Sequence, residues 1–168
     1  MKIFLNTNFI IASLFIITFF AYFQTLWMYF WIDDFALVYK LQRVDEAIGY
    51  WGRGAIGEGP YRHIVNQFVP FYPVFGTNPE GYFAIGIFLY FLASITLYYF
   101  VQLVTKNKQI AFVAAAIFAA GYIGSESMFG ITKSWQTPRG IIMALITFIL
   151  YYRFTTTRNF SFYILSVI

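Results

Sequence analysis

The chain has 168 residues, of which 60% are hydrophobic, 24% aromatic and 11% charged, with a formal net charge of +4. Soluble domains average about 45–50% apolar and about 25% charged residues, so this composition excludes an ordinary water-soluble domain and reads as an integral membrane protein. The absence of cysteine excludes disulfides, thiolate metal sites and cysteine nucleophiles. With no run of Lys or Arg, the positive charge fits basic loops against anionic lipid, and no nucleic-acid partner is expected.

The first span is read over residues 1–32. From Ile3 to Ile32 no side chain is charged, and Asn8 is placed to cap a helix running from about Phe9 to Trp31. A cleavable signal would carry a shorter apolar region, about 7–15 residues, with small residues at its exit. Here the exit holds Tyr29, Phe30 and Trp31, so a retained anchor helix is expected.

Asp33 and Asp34 follow at once and open residues 33–80. This segment holds six of the seven acids, four of the eleven basic residues and the only histidine, His63. A carboxylate in hydrocarbon costs about 2.5–3.5 kcal/mol on insertion scales, so the pair marks the point where the chain leaves the bilayer. Leu37, Leu41, Val44 and Ile48 recur at helical spacing, which predicts a short amphipathic helix lying on the membrane. Glycines between Gly49 and Gly59 break it. Pro60 opens a second short helix, Tyr61 to Val69, which Pro70 and Pro73 end.

Residues 81–104 form a second charge-free span, and Lys106 and Lys108 mark the turn after it. A third span is read over 110–131, breaking near Glu126 between Gly124 and Gly130. A fourth is read over 137–154, with Pro138 at its start, and 160–168 begin a fifth. The fold class expected is an all-α polytopic membrane protein of about four complete transmembrane helices plus a truncated fifth, the N-terminal part of a larger protein. Lys2, Lys106, Lys108, Arg153 and Arg158 fall on one side with no acid among them, and all seven acids fall on the other. The basic side is cytoplasmic, which makes the Asp33 loop extracytoplasmic and the inner (plasma) membrane the expected location.

A span, a double acid right after it, a loop with surface helices, an Arg-containing turn before an aromatic second span, and Ser125-Glu126 near the outer end of the third resemble the N-terminal part of a GT-C membrane glycosyltransferase. The pattern is most similar to the protein O-mannosyltransferase and aminoarabinose transferase branches. The resemblance implies transfer of a sugar from a polyprenyl-phosphate donor to an acceptor glycan, lipid or protein outside the cytoplasm, with inversion. Such a reaction needs a carboxylate within reach of the acceptor hydroxyl. Asp33 matches the family's first loop acid, and Asp34 either orients it or shares a divalent cation with it. Arg62, Lys133 and Arg139 are candidate substrate-binding cations for the departing lipid phosphate. Glu126 either lines a cavity between helices or reaches the interface and pairs with Lys133. Two other classes stay open: a non-catalytic membrane subunit, and a transporter-like fragment, although a transporter's intramembrane acids are absent except for Glu126. No phosphate-cradling glycine loop supports a nucleotide-sugar donor.

Overall fold

A computed structural model describes residues 6–31, 34–35, 38–39, 41, 67–121 and 128–167. The described residues form helices and turns, with no strand among them. Helix α1 runs Thr7–Tyr22 and continues as a 3₁₀ helix, Phe23–Trp27. After a short α2, Tyr72–Phe75, come α3 (Pro79–Thr105), α4 (Lys108–Ala120), α5 (Ile131–Thr157) and α6 (Phe160–Val167). Three helical segments, Thr7–Trp27, Pro79–Thr105 and Ile131–Thr157, are long and apolar enough to cross a bilayer, so this is an integral membrane protein. Phe9, Ile16, Phe20, Ile117, Met143 and Phe148 point outward, as lipid-facing side chains do.

Asparagines start most of the helices. The Asn6 side chain caps α1, Asn78 caps α3 ahead of Pro79, Asn107 accepts from two amides of α4, and Asn159 accepts from Ser161 N–H at the start of α6. Each satisfies donors that the first turn cannot bond internally. At α1 the cap is therefore Asn6, two residues before the Asn8 expected from the sequence. Helices α3 and α5 end on Lys106 and Arg158, both in the left-handed conformation that favours glycine.

Helix α3 is central, packing on α1, α4 and α5. Two close approaches make this possible. Gly86 of α3 sits against Ser134 of α5 so tightly that a Cβ there would lie 2.7 Å from Ser134 Oγ. Ala111, Ala115 and Ala119 give α4 a fully buried small-residue stripe, which lets its backbone approach its neighbours. Helices α3 and α5 run parallel: Tyr82 meets Trp135 at one end, and Lys106 lies over the Tyr152 ring at the other. Helix α4 has 13 residues, about 20 Å at 1.5 Å per residue, and ends at Gly121.

Helix α5 begins earlier than the sequence suggests. Pro138, expected to open the span, is the eighth residue of a helix that starts at Ile131. A proline at a helix start is the commoner pattern, because its missing N–H costs nothing there. Inside a membrane helix the lost bond is tolerated where neighbouring groups cover the freed carbonyl, and Pro138 is buried. Lys133 and Arg139 therefore stand on a helix, not in a connecting loop.

Candidate functional site

Asp34 meets the bundle at the first turn of α5. A turn closed by Asp34 N–H to the Trp31 carbonyl, 2.8 Å, brings the Asp34 side chain inward. Its Oδ2 accepts from Trp31 N–H and Ile131 N–H, each at 3.0 Å. Its Oδ1 accepts from Thr132 N–H at 3.3 Å and from the Thr132 hydroxyl at 2.9 Å. Helix α5 begins on Gly130, which has no side chain to offer, so a carboxylate 97 residues away in sequence caps it instead. Asp34 is 1% exposed. A negative charge at a helix N-terminus is favoured by both the orphan amides and the macrodipole.

This arrangement limits what Asp34 does chemically. An ionised carboxylate offers about four acceptor positions, and four donors occupy them here. A cation bound through Asp34 would have to displace one of those donors. The geometry suits a residue that fixes its neighbours in place. Asp33, the adjacent residue in the chain, lies outside the described residues.

Further along α5, Arg139 has both an aromatic and an amide partner. Its guanidinium lies 5.2 Å from the Trp135 ring centroid, and its Nη1 donates to Gln67 Oε1 at 2.5 Å. Trp135 is itself immobilised: it is fully buried, its indole N–H donates to the Tyr82 carbonyl at 2.8 Å, and Phe68 and Phe71 pack on its ring. Arg139 thus leans on a fixed face, an arrangement favourable to a cation. From Ile131 to Arg139 the helix rises about 12 Å. Lys133 is exposed on the first turn of α5.

Around this end, Leu41, Phe68, Tyr82, Phe83, Ile131 and Trp135 form one buried cluster, with Leu26, Met28, Phe30 and Phe75 against it. In the 33–80 loop, Asp34, Val38 and Leu41 are buried while Phe35 and Tyr39 face outward. Leu41 belongs to the apolar stripe expected from the sequence, whereas Leu37, Val44 and Ile48 lie outside the residues whose side chains are described. Arg62, His63 and Glu126 lie outside the described residues as well. Of the candidate site residues, Lys133 and Arg139 stand on α5, and Asp34 is bound to the first turn of that helix from outside it.

Three participants were not singled out in the sequence: Thr132, Gln67 and Trp135. The spacing of Trp135 and Arg139, four residues apart on a helix, carries a signal. Reading Pro138 as the helix start concealed it. Compared with known proteins, the chain matches no family model, no curated protein and no solved structure.

Proposed function

We propose that this chain is the N-terminal part of a GT-C type membrane glycosyltransferase, which transfers a sugar from a polyprenyl-phosphate donor to an extracytoplasmic acceptor. The observation that carries the reading is the tie between Asp34 and α5. Asp34 binds the first turn of the helix on which Arg139 stands, so a buried carboxylate and a held cation are tied to one helix. Sugar transfer from a lipid phosphate needs this combination: a carboxylate for the acceptor proton and a cation for the phosphate that leaves.

In this reading Asp33 is the base and Asp34 the residue that orients it. Arg139 stabilises the phosphate, with Arg62, Lys133 and Glu126 as further contacts. The chain crosses the membrane four times before α6. Because α3 and α5 are parallel, the chain between them returns from the Lys106 end to the Asp34 end, and α4 supplies about 20 Å of that path. The Asp34 end is extracytoplasmic, since Lys106, Lys108, Arg153 and Arg158 gather at the other.

The test is turnover of a lipid-phosphate sugar by the complete protein in vesicles. Asp33→Asn is expected to lower turnover by about 10²- to 10⁴-fold, the usual contribution of a positioned acid or base, with expression and donor binding retained. Loss of turnover on chelation would add a divalent cation to the site. Full activity of Asp33→Asn would remove the catalytic assignment, and co-purification with a larger, active membrane protein would favour a non-catalytic subunit.

A further inference from the structure

The opposite end of the bundle contains a second polar feature, which sugar transfer does not use. Between the final turns of α3 and α5 lies an open groove of about 450 Å³, lined by Tyr99, Gln102, Leu103, Lys106, Ile149 and Arg153. Two cations therefore share one concavity. Neither has an acid close to it in the sequence, which contains no Asp or Glu from Gly81 to Ser125 or after Glu126. Lys106 is the residue at which α3 turns into the left-handed conformation, and its ammonium lies 5.6 Å from the Tyr152 ring centroid, on the side of α5. Arg153 reaches the same space from α5, one residue beyond that tyrosine.

We infer that this groove holds the phosphate headgroup of an anionic lipid. The cations supply the charge complement, Tyr99 and Gln102 add hydroxyl and amide donors, and Leu103 and Ile149 line the adjacent wall where acyl chains run. Two like charges drawn to one concavity repel each other, and an anion between them relieves that repulsion. A lipid is favoured over a soluble anion because the groove opens between two helices that are apolar along their length and long enough to span. Lys108 and Arg158 lie at the same end of the chain's helices but do not line the groove, which provides an internal control of equal charge.

The experiment is native mass spectrometry of the purified protein in detergent. It is titrated with phosphatidylglycerol, with phosphatidylcholine, or with phosphatidylglycerol in the presence of inorganic phosphate. The wild type is expected to retain one phosphatidylglycerol in preference to phosphatidylcholine. At about fivefold per cation, the double variant Lys106→Gln, Arg153→Gln should bind it about thirtyfold more weakly. Lys108→Gln, Arg158→Gln should change binding less than about threefold. All four side chains are exposed, and circular dichroism verifies that the helices persist. Equal losses in the two double variants would show only diffuse charge and overturn the site. Undiminished binding by Lys106→Gln, Arg153→Gln would also overturn it, and displacement of the lipid by equimolar inorganic phosphate would assign the groove to a soluble anion.

Discussion

Removing the Asp34 carboxylate tests the connection on which the architecture of the loop end rests. In Asp34→Ala the Ile131 amide is left buried without an acceptor, a loss of about 1–3 kcal/mol. The Thr132 hydroxyl can turn to another partner, and Trp31 N–H is only partly buried. Adding the helix cap itself, with which the first term overlaps, gives a destabilisation of about 2–4 kcal/mol. Asp34→Asn should cost less, about 1–2 kcal/mol, because one oxygen still accepts while the new NH₂ faces Thr132 N–H, donor against donor. The assay is hydrogen exchange of the Ile131 and Thr132 amides in nanodiscs, with thermal unfolding as a second readout. A loss of 2 kcal/mol corresponds to about thirtyfold faster opening of the first turn of α5. Gly130→Ser in the Asp34→Ala background should recover about 1 kcal/mol, since Gly130 already has extended backbone suited to a capping hydroxyl. Unchanged exchange in Asp34→Ala would refute the cap, and with it the account of why α5 begins at Ile131.

Three further outcomes are expected. Gly86→Ala should destabilise the α3–α5 contact by about 1–3 kcal/mol, as overpacking does, and Ser134→Gly should restore most of that loss in a double-mutant cycle measured by unfolding in detergent. Trp135→Phe deletes the donor to the Tyr82 carbonyl and part of the face under Arg139, so it should cost about 1–2 kcal/mol; a wild-type unfolding midpoint would contradict the packing described. For the proposed topology, a cysteine between Glu46 and Gly59 should react with an impermeant thiol reagent in intact cells, and one at Asn107 should not. The reverse pattern would remove the extracytoplasmic placement of the acid pair.

The membrane-spanning helices could be read from the sequence because their cause is local. A charge-free stretch of about 20 residues has few places to go but a bilayer, and the segments ending at Trp27 and Thr105 follow from that alone. The start of α5 was not legible, since two general tendencies pointed elsewhere. Pro138 looks like a first helical residue, and the polar stretch with Lys133, Ser134, Gln136 and Arg139 looks like a loop. What overrides both is tertiary. Ser134 packs into the space left by Gly86, Trp135 finds the Tyr82 carbonyl, and Asp34 supplies the cap. Each partner lies dozens of residues away, so no local pattern announces it. Likewise the sequence marked Asp34 as chemically important for its place at the membrane edge, while its hydrogen bonds could only come from the folded chain.

The choice of acid at position 34 follows from counting donors. Helices α1, α3, α4 and α6 start with asparagine, whose single amide oxygen serves one or two amides at exposed positions with water nearby. At α5 the cap is buried, and four donors from three residues converge on it. An amide oxygen offers about two acceptor positions and would leave donors unpaired, whereas a carboxylate offers about four and adds charge that the helix N-terminus favours. The exit of α1 and the entry of α5 are thereby bound through one side chain, so Asp34 cannot leave the bundle without exposing both. Any chemistry placed beside Asp34 inherits that rigidity, and a positioned carboxylate depends on it, because proton transfer requires hydrogen-bond distance to the reacting group.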